Sequence, residues 1–310
     1  MLGFNLIPAN INLGFIAKKK LFFAASILLV ASAVGLFTIK GLSYGIDFQG
    51  GIMIDIRTPG PADLGAMRSQ LGQLGLGEVT LQEFGQPDDV LIRVQRQDGG
   101  EEAQQVALAK VKQSLGPGIE YRRTEFVGPK VSEELFWDGV KAVGFAILAI
   151  LVYIWFRFEW QFGLGAIVAL IHDVLTTIGL FALLGLEFNL STVAAILTIA
   201  GYSINDTVVV YDRVRENLRK FKKMALPDLL NNSINQTLSR TIITSVTTLL
   251  ALLSLYFLGG EVIRDFSFAM IWGVLIGTYS SICVAVPLLL HLNIRRGGGQ
   301  AKEAAAPVAP

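Results

Sequence analysis

Apolar and polar positions divide the chain into long apolar runs and one mixed block. Six runs, 21–39, about 139–156, about 162–186, 190–211, about 239–258 and about 266–290, predict helices. Each approaches or exceeds the ~20 residues needed to cross bilayer hydrocarbon. The mixed block, 40–138, follows other periods. Residues 51–57 alternate like a strand, and 61–76 put Leu64, Met67, Leu71 and Leu74 on one helical face. Segments 79–84 and 90–95 predict strands around a turn at Gln86-Pro87-Asp88. A helix over 101–115, with Val106, Ala109/Lys110 and Val111 near its apolar face, stops at Gly116-Pro117-Gly118, and 119–127 closes as a strand. The order β-α-β-β-α-β is that of a ferredoxin-like domain. A block of this size holds a modest core without disulfides.

The connector 213–239 carries Pro227, then Leu226, Leu230, Ile234 and Leu238 at four-residue intervals. It predicts an amphipathic helix lying in the membrane interface between the fourth and fifth spans, with a soluble loop helix as the alternative. Charges set the topology. Lys18 to Lys20, Arg157, the cluster 213–223 and Arg295-Arg296 fall on one side if every run crosses, while the opposite turns hold only Glu187, Glu261, Arg264 and Asp265. The positive-inside rule then places both termini in the cytoplasm and the mixed block outside. Ala31-Ser32-Ala33 has the small-residue character of a signal-peptide cleavage site, but the run continues to Ile39, which favours an uncleaved anchor.

The resulting organisation is a cytoplasmic N-terminus (1–20), a first transmembrane helix (21–39), an outer domain (40–138), five further transmembrane helices (139–296) and a Gly/Ala/Pro-rich disordered tail (297–310). Composition agrees. Mean hydropathy is +0.54 and charged residues are 16 % of the chain, well below the ~25 % of soluble domains. A net charge of +1 implies no nucleic-acid partner, and the one cysteine, Cys283, rules out an internal disulfide. The outer block has no histidine, phosphate loop, metal-ligand cluster or nucleophilic triad, so neither a catalytic site nor a metal or cofactor is expected.

Candidate chemistry lies instead within the spans. In the fourth, Asn205 and Asp206 interrupt an apolar run, and Tyr202, Ser203 and Asp206 share a face. A carboxylate at membrane depth costs several kcal/mol and marks an ion or proton path by default. Asp206 lies roughly 10 Å by helical rise from the basic boundary at Arg213, and Arg240 is equally far in if the fifth span begins near Ser233, so antiparallel neighbours would bring the two level. His172-Asp173 in the third span adds a second acid and an imidazole. The plain alternatives are a static ion pair that fixes packing and an interhelical histidine hydrogen bond. Thr176, Thr177, Thr244, Thr247 and Thr248 read as packing glue, and Phe158, Trp160 and Phe162 as interface anchors.

Four segments carry a family resemblance: Gly45-Ile-Asp-Phe-Gln-Gly-Gly51, His172-Asp173-Val174, Gly201-Tyr-Ser-Ile-Asn-Asp-Thr207 continuing through Tyr-Asp-Arg-Val-Arg-Glu-Asn217, and Ser239-Arg-Thr-Ile-Ile-Thr-Ser245. Together they resemble the SecF family of bacterial protein-export subunits over nearly the whole chain apart from its tail. Gln49 stands where relatives commonly carry Thr or Lys. The resemblance implies a polytopic α-helical membrane protein with six transmembrane helices, half of an RND-type transporter, and a ferredoxin-like α/β periplasmic domain between helices 1 and 2. It implies the inner membrane, SecD as obligate partner, and association with the SecYEG channel, YajC and the translocating preprotein. It also implies use of the proton-motive force to help secreted chains leave the channel. Asp206 then maps onto the family's proton-responsive carboxylate and Arg240 onto its basic partner. Asp173, His172, Asn205 and Ser203 complete the relay, and Asp47, Phe48, Gly50 and Gly51 form the motif linking the periplasmic domain to the membrane part. Protons and sodium remain alternatives as the coupling ion. A passive assembly subunit and half of a related RND exporter are the competing readings. An intramembrane aspartyl protease is disfavoured, because Asp206 follows Ser-Ile-Asn rather than Gly-x-Gly.

Overall fold

The computed structural model describes residues 12–260, 263–292 and 294. The expectations for residues 1–11, Glu261, Arg295-Arg296 and the tail 297–310 lie outside the described residues. Six helices among the described residues are long and apolar enough to cross a membrane: α1 (Lys19–Lys40), α5 (Pro129–Arg157), α6 (Trp160–Leu184), α7 (Leu190–Lys220), α8 (Leu226–Leu258) and a last one over Arg264–His291 that begins as α9 (Arg264–Ser280). The chain is a multi-pass membrane protein. It divides into two compact units, one of 42–144 with 185–193 and one holding the remaining helical segments.

In the smaller unit, β1 (Ser43–Tyr44) and the one-turn helix α2 (Ile46–Gln49) precede β2 (Gly51–Arg57), α3 (Leu64–Gly72), β3 (Val79–Phe84), β4 (Gln86–Val94), α4 (Gly100–Leu115) and β5 (Glu120–Val127). The antiparallel sheet runs β3-β4-β2-β5, which is the order that fits a ferredoxin-like β-α-β-β-α-β chain. Ile52, Ile54 and Ile56 face Val94, Ile92 and Val90 across the β2/β4 ladder, and these side chains form one core with Met67, Leu71, Ala107 and Val111. Alternation along β2 is less strict than its sequence suggests. Met53 packs with Ile46 of α2 and Leu91 on the opposite face, so every residue from Gly51 to Ile56 is buried.

The structure differs from the sequence pattern at two places in this unit. Gln86-Pro87-Asp88 is not a turn: β4 starts at Gln86, and the reversal falls on Gly85, whose φ of 86° suits a residue without Cβ. In α4 the buried face passes through Ala107 and Val111, while Val106 is 56 % exposed. Asp89, almost wholly buried, receives both Nε and Nη2 of Arg57 at 2.7 Å and lies 3.3 Å from Arg122 Nη1. The hydrogen-bonded Arg57 guanidinium holds its carboxyl below the usual carboxylate range.

The helical unit is held by close approach at small residues. A Cβ on Gly179 of α6 would run into Ala33 of α1, and one on Gly273 of α9 into Ile199 of α7, as expected where membrane helices pack by van der Waals contact. Phe158 and Phe162 are not interface anchors. Both are buried against Tyr211, whose ring lies 5.1 Å from that of Phe162, whereas Trp160 remains 64 % exposed. The interfacial helix is also corrected. No glycine or proline interrupts the chain between Pro227 and Leu258, so the segment continues as α8, a 33-residue helix. Leu229, Leu230, Ile234 and Leu238 are buried in the core of the unit rather than facing lipid. Helix α7 likewise runs through the basic stretch to Lys220, and Asn217 Nδ2 donates to Ser233 Oγ (2.8 Å) and Gln236 Oε1 (3.0 Å) on α8.

Candidate functional site

Among the described residues two buried carboxylates lie within the spanning helices, each with its own set of hydroxyls. Asp206 is on α7, one turn after Ser203 and just beyond the apolar half of that helix. Its Oδ1 accepts a hydrogen bond from Thr241 Oγ1 of α8 at 2.8 Å. Its Oδ2 is buried and has no hydrogen-bond partner among the described residues. Asp206 is therefore half-satisfied, with one oxygen held and the other open to accept or carry a proton.

Asp173 on α6 is surrounded more completely. Oδ1 is 2.9 Å from His172 Nδ1, and Oδ2 accepts from Ser203 Oγ (2.6 Å) and Ser280 Oγ (2.7 Å). The backbone carbonyl of Asp173 accepts from Thr176 and Thr177 one turn on. Asp173, Ser203 and Ser280 are all essentially inaccessible. This arrangement pins α6, α7 and α9 to one carboxylate. His172 Nε2 is buried and has no hydrogen-bond partner among the described residues.

The two sets approach each other on α7 and the last helix. Thr207, next to Asp206, is 2.8 Å from Ser281 through their hydroxyls, and Ser281 Oγ also reaches the carbonyl of Ser203 at 3.5 Å. Ser280 and Ser281 stand at the junction where α9 gives way to a π-helical turn, Ser281–Ala285. Such turns are rare and cluster at functional sites. The close approach depends on Gly277, where an added Cβ would lie 3.2 Å from that of Ser203.

The residues named from sequence are distributed unevenly. Asp173, His172 and Ser203 come together, but Ser203 bonds Asp173 rather than serving Asp206. Arg240 does not pair with Asp206. It is exposed in this chain and makes no ion pair among the described residues, because it lies one residue before Thr241, which faces α7 in its place. Asn205 is also exposed and turned away. Thr241, Thr207, Ser280 and Ser281 were missed. The available signal was Gly273-x3-Gly277 followed by two serines, the small-residue spacing that lets helices approach.

The motif after α1 makes a separate site in the smaller unit. Asp47 Oδ2 accepts from the backbone N–H of Leu190 (2.9 Å), and Asn189 Oδ1 accepts from Thr192 N (3.0 Å), so two side chains cap the start of α7. Strand β1 pairs in parallel with β6 (Glu187–Phe188), and Arg93 Nη2 bonds Glu187 at 2.6 Å. Phe48 sits among Tyr44, Phe136 and Phe188, with ring centroids 6.0–6.4 Å away. Gly50 and Gly51, at φ 72° and 118°, turn the chain from α2 into β2. A Cβ at Gly45 would collide with the Glu187 carboxylate.

Comparison with known proteins identifies the family. The family model described as protein export membrane protein SecD/SecF, C-terminal, matches residues 107–295, and the SecD/SecF GG motif model matches 35–58. The chain belongs to the SecD/SecF family. It is 48 % identical over 295 residues to the protein translocase subunit SecF of Rickettsia felis, covering 94 % of this chain and 95 % of that protein. With the SecF subunit of Rhodobacter capsulatus identity is 47 % over 306 residues, covering 94 % and 92 %. The crystal structure of SecDF, a translocon-associated membrane protein from Thermus thermophilus, superposes with a TM-score of 0.85 at 39 % identity. The match covers 93 % of this chain and 39 % of that one, so this chain spans about two-fifths of the SecDF polypeptide. A SecDF structure in a super-membrane-facing form superposes at 0.67. The names of these relatives denote subunits for transport rather than catalysis.

Proposed function

We propose that this chain, paired with a SecD subunit, uses the proton-motive force to promote translocation and release of secreted proteins across the inner membrane. It would work beside the SecYEG channel and YajC, with the emerging preprotein on the periplasmic side. The excess of basic residues at one end of the spans favours both termini in the cytoplasm and the β-sheet unit in the periplasm. The observation that carries the reading is Asp206, a buried carboxyl in a membrane helix with one oxygen held by Thr241 and the other without a partner among the described residues. Such a group gains or loses a proton with little rearrangement of its neighbours, and it biases helix packing when it does.

Asp173 favours a second role in the same assembly. Both its oxygens are hydrogen-bonded within the helical unit, which suits a residue that holds α6, α7 and α9 together and positions Ser203 one turn from Asp206. Arg240, exposed on α8, would serve as a charge presented to the SecD half. The test is Asp206→Asn, which keeps size and hydrogen-bonding capacity but removes the titratable group. Secretion into membrane vesicles is measured with and without a proton gradient. The expected result is normal abundance and complex formation with no stimulation by the gradient, while ATP-driven translocation continues. Full gradient stimulation in the variant would overturn the proton role, and loss of the protein itself would assign Asp206 to packing.

A further inference from the structure

The basic ends of α5 and α7 form a cleft that the transport reading does not use. It has a volume of about 510 Å³ and is lined by Arg157, Asp212, Arg215, Glu216, Arg219 and Lys220. Its charges are arranged rather than merely clustered. Arg157 Nη2 donates to both oxygens of Asp212, at 2.9 and 2.8 Å. Arg215 Nη1 donates to the carbonyl of Arg157 at 3.2 Å. Both guanidinium groups stand over the ring of buried Phe158, 5.1 and 5.4 Å from its centroid. Arg213, outside the cleft, neutralises Glu216 at 2.9 Å. Asp212 and Glu216 are thus both compensated, and Arg215, Arg219 and Lys220 keep uncompensated positive charge.

The surroundings indicate what that charge meets. Trp155 and Phe156, at 79 and 90 % exposure, immediately precede Arg157 at the end of the membrane-crossing α5, and Trp160, at 64 %, opens α6. Exposed aromatic residues at that level belong to the headgroup boundary. An anion seated in the cleft would therefore have apolar, lipid-facing surface directly beside it. Free phosphate would use the cations but not that surface.

We infer that the cleft between α5 and α7 is a binding site for the headgroup of an anionic phospholipid, with its acyl chains lying along the exposed aromatic face of α5. Three uncompensated cations favour a headgroup with two phosphodiesters over one with a single phosphate. Bound there, such a lipid would bridge α5 and α7 at their basic ends.

The full chain in neutral detergent is titrated with diphosphatidylglycerol, phosphatidylglycerol, phosphatidylcholine and inorganic phosphate. Thermal midpoint and lipid retention in native mass spectrometry are the readouts. A saturable rise in midpoint with one retained diphosphatidylglycerol, weaker binding of phosphatidylglycerol and no effect of phosphatidylcholine are expected. The pair Arg219→Gln and Lys220→Gln removes exposed cations that make no ion pair among the described residues, so folding should survive. At roughly fivefold per cation near a membrane surface, the double variant should bind about 30-fold more weakly. Lys18→Gln with Lys20→Gln makes the same charge change at the end of α1 and should leave binding intact. Equal loss in that control would reduce the effect to diffuse attraction and overturn the site. Equal stabilisation by inorganic phosphate, or by phosphatidylcholine, would overturn the lipid assignment.

Discussion

The Thr241–Asp206 contact gives the sharpest test of the membrane site, because among the described residues a single hydroxyl hydrogen-bonds the carboxyl. Thr241→Val keeps the branched shape of a residue that is 1 % exposed and deletes only the donor. A hydrogen bond to a charged group contributes about 1.5–3 kcal/mol, and one between neutral groups about 0.5–1.5 kcal/mol. Asp206→Asn retains the neutral bond, since its amide oxygen still accepts from Thr241. A double-mutant cycle of Thr241→Val and Asp206→Asn therefore isolates the charge-assisted excess, about 1 kcal/mol. Measured couplings between polar groups in membrane helices average about 0.6 kcal/mol with a maximum near 1.7, so this value lies within the attainable range. The assay is reversible unfolding of the four proteins in mixed micelles at about pH 8, with folded fraction followed by helix content. Thr241→Val alone should lower stability by about 1–2 kcal/mol and blunt gradient-stimulated secretion. A coupling below about 0.3 kcal/mol would refute the claim that an ionised Asp206 is held by Thr241.

Two further outcomes concern the smaller unit. Asp89→Asn should lower the urea midpoint of a fragment covering the four-stranded sheet and its helices (about 50–128) at neutral pH. The folded carboxyl titrates below its unfolded value, so its stabilisation is full above about pH 4 and is lost as pH falls through the lower folded value. The gap between wild type and variant should therefore close in strong acid, and a constant gap would refute the Arg57–Asp89 account. In the full chain, Asp47→Ala should cost about 1 kcal/mol in thermal unfolding, as loss of a helix cap does, and should speed amide exchange at the start of α7. Unchanged exchange there would show that Asn189 caps the helix without it.

Much of this protein was legible in its sequence, for reasons of length and period. A run such as 190–211 must be helical in lipid because no water is available to satisfy its backbone, and the alternation at 51–57 makes sense only in a sheet with an inner face. The GG motif announced its own turn, since two successive residues at positive φ require glycine. Tertiary structure decided which polar groups meet. Helical phase placed Thr241 rather than Arg240 against Asp206, a difference of one residue and about 100° that spacing across two separate helices does not specify. Ser203 turned to Asp173 because α6 and α9 converge there, and α9 comes that close only because Gly273 and Gly277 have no side chain. The connector before the fifth span shows the same limit. Its four-residue stripe required a buried face, but whether lipid or protein would bury it depended on what the rest of the chain placed alongside.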